Sequence, residues 1–294
     1  MAYDKVVDSA VLDGYFSDIA DAIRDKRGDG VYIEMTPADM PYEIENLPTG
    51  GGGLDPDLEA LMRGDASGDI EITLPTNSYG ICFYIDESSR WMQNSGVRSL
   101  TVKGVENFGN PNINNGGLVM GPAQIEELHL PNTKKVMIAR RSNSIYPFQN
   151  LSVFDAPEVI QIGQQNNYMF HGSQLTEFVC TKYLRVSSYM FSGSTSLELV
   201  DIDGHSGISG NAFNGCSSLK ALVLRGTSVG TLDNANALTG TLIASGTGYI
   251  YVPSALKSTY QAATNWSTYS AQFRALEDYT DDGTVDGDFV LPQS

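Results

Sequence analysis

The sequence predicts an α+β fold: a repeat solenoid with a ladder of short parallel strands, preceded by a small N-terminal helical module and closed by a C-terminal strand-helix cap. Three observations predict it. First, an L-x-x-L-x-L pattern recurs at a constant interval. Leu219, Leu222 and Leu224 are matched one unit earlier by Leu197, Val200 and Ile202, and one unit before that by Leu175, Phe178 and Cys180. Second, an aromatic stands six residues before the first apolar position, at Phe213 and Phe191, with Phe170 in the equivalent place one residue short. Third, the periodicity becomes helical near the N-terminus, and a strand followed by a helix closes the other end.

With a stretchable spacer the pattern continues backwards. Leu151, Phe154 and Ala156 form the next unit, Ile125, Leu128 and Leu130 the one before it, and Val97, Leu100 and Val102 the first. The connections between units shorten toward the C-terminus. The L-x-L pair places two residues on one face of a strand, and the Leu three earlier closes the turn into it. A unit this short cannot bury its own apolar face, so neighbours must stack into a continuous core. The expectation is a leucine-rich-repeat solenoid over residues 69–247, rising about 4.8 Å per coil.

The flanking pieces follow in order. Val11, Leu12, Tyr15, Phe16, Ile19 and Ile23 form a helical stripe ending near Arg27 and Gly28, and a second short helix starts at Thr36–Pro37. Residues 1–48 are too short to bury a strong core alone, so the stripe is expected to serve attachment or oligomerisation. Folding back on the solenoid as a cap is the alternative. Residues 49–68, with GGGG, read as a flexible linker. IEITLP and GICFYI read as strands before the first coil. Residues 248–279 read as the cap: a last strand, Tyr249–Val252, then a helix from Ser254 with Ala255, Leu256, Tyr260 and Ala263 inward and Trp266 nearby. Residues 280–294 form an acidic tail; its oxygen-rich DDGTVDGD invites a calcium reading but lacks the twelfth-position Glu of a calcium loop.

YMFSGSTSLELVDI and NAFNGCSSLKALVL resemble the A-F-x-x-C-x-S-L-x-x-I-x-L pattern of BspA-like leucine-rich repeats. The likeness is closest over Gly163–Gly226 and looser back to about Ser95; Ser194 stands where Cys216 does, and the early units lack the A-F element. IADAIRDKRGDGVYIEMTPADMPYEIENL resembles a short module at the start of many phage and prophage tail-associated proteins, and the strand-helix terminator is similar to that of phage-type members of the repeat family. The resemblance implies a virion protein of tail-fibre, baseplate or receptor-binding type. Its partners would be other virion proteins, through the N-terminal module, and a host cell-surface protein or glycan. It also implies a homo-oligomer, with a trimer as the stoichiometry usual in fibres.

Composition bears on the same question. Lys plus Arg total 18 against 35 Asp plus Glu, a formal charge of −17, with no basic cluster, so nucleic acid and anionic membranes are poor partners. No apolar run is long enough to cross a bilayer, and the start carries no signal-peptide pattern. Synthesis in a bacterial cytoplasm and residence in a virion are the expectation; a bacterial surface adhesin of the same repeat family is the alternative and would need an export signal. Cys82, Cys180 and Cys216 form no C-x-x-C pair and read as buried apolar residues.

Residues between the inward positions should line an exposed strand face. These include Val153, Val179, Leu199, Ala221 and Val223, and the candidate ligand-facing residues Glu127, His129, Asp155, Glu177, Thr181, Asp201, Asp203 and Arg225. An ordinary solvated face is the plainer reading. Asp201 and Asp203 share a strand face, a spacing open to a paired-carboxylate polysaccharide depolymerase, although any acidic strand offers such a pair. His129, His171 and His205 follow no metal spacing, and there is no G-x-S-x-G elbow or phosphate loop. The expectation is a binding protein with no enzyme activity, cofactor or metal.

Overall fold

A computed structural model gives the fold and describes residues 56–57, 60, 66–73, 96–109, 125–137, 148–162 and 168–278. The attachment stripe from Val11 to Ile23, the rest of residues 1–48, the GGGG linker, the GICFYI strand, Cys82 and the acidic tail lie outside them. The fold is mixed α/β with few helices. Its strands, in chain order, are β1 Ser67–Thr73, β2 Gly96–Lys103, β3 Asn107–Gly109, β4 Glu127–His129, β5 Lys135–Met137, β6 Val153–Asp155 and β7 Gln161–Ile162. They continue with β8 Glu177–Cys180, β9 Arg185–Val186, β10 Leu199–Ile202, β11 Gly207–Ile208, β12 Ala221–Leu224, β13 Tyr249–Val252 and β14 Phe273–Ala275.

Every strand pair among the described residues is parallel, and none closes a barrel. The strands form four sheets: β1-β2-β4-β6, β8-β10-β12-β13-β14, β3-β5-β7 and β9-β11. From β2 to β12 the strands of the first two sheets alternate along the chain with those of the other two, so a crossover there carries a short second strand in place of the usual helix, whereas helices lie between β12 and β13 and between β13 and β14. The pairing registers reproduce the repeat spacing. Ser99 pairs with Glu127, Glu127 with Val153, Glu177 with Leu199, and Leu199 with Ala221.

The six L-x-x-L-x-L units supply the main core. All their apolar positions are buried, the most exposed being Phe154 at 6%. The odd step of three has a local cause. In β2 a register shift opposite Gly68 and Asp69 turns both Val97 and Leu100 inward. In later units two successive three-residue turns lead into the strand: Ser194 N–H donates to Phe191 O (2.9 Å) and Leu197 N–H to Ser194 O (3.3 Å), as Cys216 does to Phe213 and Leu219 to Cys216. Those two turns in succession set the distance along the chain from the aromatic to the first Leu.

The aromatics themselves stack. Phe148, Phe170, Phe191 and Phe213 run in series with centroids 5.7, 5.3 and 5.3 Å apart, all fully buried. Beside them runs a polar ladder: Ser194 Oγ donates to Phe170 O (2.6 Å), Cys216 Sγ to Phe191 O (3.0 Å), and Ser173 Oγ meets Ser194 Oγ (3.1 Å). Small hydrogen-bonding side chains thus satisfy backbone carbonyls of the preceding unit in a dry interior, which is why Ser and Cys are interchangeable there.

At the C-terminal end, α1 (Leu242–Ser245) is capped by Thr241 Oγ1, which accepts from Ala244 N–H at 3.1 Å. Helix α2 (Ser254–Ala262) has no side-chain cap of its own; Glu277 Oε2 accepts from Ser254 N–H at 2.8 Å and fills that role. Tyr260 and Trp266 are buried against Phe273, whereas Ala255, expected inward, is exposed on the first turn of α2. Both anchors meet Gly230: its N–H donates to Tyr260 Oη (3.0 Å) and its carbonyl accepts from Trp266 Nε1 (2.8 Å). A Cβ at Gly230 would lie 2.2 Å from Gly204 O, so this close approach requires glycine. Tyr249–Val252 is not the last strand: a 3-10 helix, Trp266–Gln272, carries the chain back to add β14 beside β13.

Candidate functional site

The candidate residues stand on the face of the parallel sheets opposite the main core, and the two sheets treat that face differently. On β4 and β6 the face is open and polar. Glu127 and His129 are two residues apart on β4, and His129 pairs in register with Asp155. Nδ1 of His129 lies 3.3 Å from Asp155 Oδ2 and Nε2 lies 3.5 Å from Glu127 Oε2. A neutral imidazole has one N–H and serves one carboxylate; an imidazolium serves both. Arg98 pairs with Glu126 (2.6 Å) and Lys103 with Glu71 (2.5 Å), both between neighbouring units. Glu177 and Thr181 are exposed at the start and just past the end of β8.

On β10 and β12 the face is closed, against expectation. Leu199, Ala221 and Val223 are buried at 5%, 0% and 0%, and with Tyr251 and Leu276 they make a second apolar cluster. Asp201 is also fully buried, accepting from Arg225 Nε and Nη2 at 2.6 Å each. Both its oxygens are engaged in charge-assisted bonds to a planar guanidinium. Asp203 sits at the rim, its Oδ1 accepting from His205 N–H (3.0 Å) and facing His205 Nδ1. The two aspartates therefore do not present a free carboxyl pair, which a depolymerase of that design needs on either side of its scissile bond. Among the described residues no group of three His, Cys, Asp or Glu side chains is placed to hold a metal ion.

The two described cysteines are buried and free. Burial pushes the Cys216 thiol up to about 12, and burial, with the charges of Asp155 and Asp201, pushes Cys180 well up. Neither is a thiolate near neutral pH, so neither is a nucleophile there.

Two surface features escaped the sequence reading. A depression of about 600 Å³ lies where β7 meets β9, lined by Ile160, Leu184, Arg185, Ser187, Ser188 and Ser206. Its guanidinium is already engaged: Arg185 donates to Ser206 O (2.6 Å), Ser209 Oγ (3.1 Å) and Asp233 Oδ2 (2.6 Å). The other is a stack of Tyr168 on Tyr189, centroids 5.0 Å apart, extended by Asn211, whose Nδ2 donates to Tyr189 Oη at 3.0 Å. The Y-M-F that ends in Phe170, and again in Phe191, was the available signal. Tyr189 and Asn211 share a left-handed backbone, φ 58° and 59°, which turns them out of the unit just before its aromatic turns in.

Set against protein-family models, curated proteins and solved structures, the chain matches none of them.

Proposed function

We propose that the chain is a leucine-rich-repeat solenoid serving as a binding scaffold, in a phage virion protein of tail-fibre, baseplate or receptor-binding type. The observation that carries the scaffold reading is the register: successive strands pair in one direction, each advanced by one sequence repeat, with stacked phenylalanines beneath them. Such an array is stiff along its length and presents side chains at fixed spacing, which suits recognition of an extended surface. The chemistry on its outer face favours binding, since its charged groups are engaged with one another across units. The assignment to a virion rests on the resemblance of residues 19–47 to the phage tail-associated module. Several weak contacts on one particle would then gain strength through effective concentration.

Adsorption competition tests this reading. Purified full-length chain, added to host cells before phage, should lower the rate of phage adsorption. Removal of residues 1–48 should leave competition intact while excluding the chain from assembled particles. Phage adsorption unaffected at saturating protein, with the chain absent from purified particles, would overturn it.

A further inference from the structure

The depression beside β9 has a cause in the ladder itself. At the entry to the short strands, Ile160 N–H donates to Lys134 O at 2.9 Å and Ser206 N–H to Leu184 O at 3.0 Å, but Leu184 N–H reaches Ile160 O only at 3.4 Å. At that junction β7 does not pair with β9, nor β6 with β8, and pairing resumes in the next unit. The depression lies where β7 and β9 stand apart, and its volume of about 600 Å³ falls within the range of about 300–1,000 Å³ usual for small-molecule sites.

Its lining offers one kind of chemistry. Gln161 stands on β7, Ser187 and Ser188 follow β9, Ser206 precedes β11, and Ile160 and Leu184 add apolar surface; all six are half-buried. Among the described residues, no side-chain hydrogen bond takes up the Gln161 amide or the three hydroxyls, each of which offers one donor and two acceptor lone pairs. The charged residue of the described lining, Arg185, is tied to the wall by Asp233, Ser206 O and Ser209 Oγ. Its charge is thereby compensated, and those bonds hold the β9 and β11 side in place before any ligand arrives.

We propose that this depression binds a sugar ring of an uncharged saccharide. A sugar ring carries hydroxyls around its edge and C–H groups on its faces, which the free hydroxyls, the amide and the two aliphatic side chains match. An anion would meet a guanidinium already neutralised, and a metal cation would find no carboxylate in the described lining. An extended peptide is served less well, because β7 and β9 have two residues each, too short an edge for strand addition. The proposal rests on the scaffold reading and names its ligand class, but does not depend on the assignment to a virion.

The test is an array of neutral and acidic oligosaccharides of hexoses, 6-deoxyhexoses and N-acetylhexosamines, probed with the purified full-length chain. Neutral members should retain it. In titration with a retained glycan, Ser187→Ala combined with Ser206→Ala should weaken binding by at least about tenfold, the loss of two neutral hydrogen bonds. Ser267→Ala, at an exposed serine of the C-terminal 3-10 helix, should leave binding unchanged. Retention only on acidic glycans, no retention at all, or neutral binding untouched by the double serine variant would each overturn the site. So would retention on an array of unmodified peptides in place of glycans. Adsorption competition that persists without glycan retention would mark the failure as that of this site and not of the proposed function.

Discussion

Phe191 is the residue on which the stacked interior can be tested most sharply. It is fully buried, stacked on Phe170 and Phe213 at 5.3 Å on either side, and meets Phe178 edge-on at 4.9 Å. Phe191→Ala removes a ring from the middle of three units. Loss of transfer energy plus the cavity costs about 3–5 kcal/mol, and the three ring contacts are worth about 0.5–1.5 kcal/mol each beyond burial. These overlap, so about 5 kcal/mol is the expected total, against a typical domain stability of about 5–15 kcal/mol. In urea titration followed by far-UV circular dichroism, with a slope of about 3 kcal/mol/M, the midpoint should fall by about 1.5 M or more. Val153→Ala is the control. Val153 is 38% exposed on β6, and its loss should cost under about 0.5 kcal/mol. If both variants shift the midpoint equally, the phenylalanine series does not hold the units together.

Other outcomes follow from the same structure. Arg225→Met removes the guanidinium that neutralises buried Asp201 and should cost about 3–5 kcal/mol; adding Asp201→Leu should recover most of it, as read by the same titration. Gly230→Ala forces a methyl against Gly204 O and should cost at least about 2 kcal/mol, with Trp266 fluorescence moving to the red as the cap loosens. Burial holds the protons of Cys216, Tyr183 and Tyr260 in the folded chain at pH values where the unfolded chain releases them. For Cys216 that contribution is complete below the ordinary thiol value of 9.0 and is lost as pH climbs toward about 12, so the melting temperature should fall across this window. At pH 8 neither Cys180 nor Cys216 should react with a thiol reagent until the chain unfolds.

Much of the architecture was legible because one spacing rule governs it. Four of the five intervals that separate Val97, Ile125, Leu151, Leu175, Leu197 and Leu219 in the sequence, all but the one from Leu151 to Leu175, are the offsets by which the described strands pair, since a parallel ladder fixes one residue per unit at each level. The second set of short strands was not legible: β9 and β11 have two residues each, too few for any periodicity. Nor was β14, whose Phe-Arg-Ala carries no strand pattern and is placed by the packing of Tyr260 and Trp266. On the candidate surface, the open residues around His129 stand where alternation puts them. The error lay at β10 and β12, where alternation gives the side of the sheet and not what covers it. The identities were the neglected clue: Leu199, Ala221 and Val223 are apolar on the face where Ser99 and Glu127 are polar. Asp201 was misjudged for a related reason, because a carboxylate reads as solvated until Arg225, just past the end of the neighbouring strand, is seen to neutralise it.

Electron cryomicroscopy of purified phage particles from cells that encode this chain tests the central claim most directly. The account predicts density at the tail periphery into which the parallel ladder from β8 to β14 fits, one strand per repeat, with residues 1–48 at the particle and the polar face around His129 turned outward. Particles that lack the chain, with the protein found instead in the cell envelope, would contradict it.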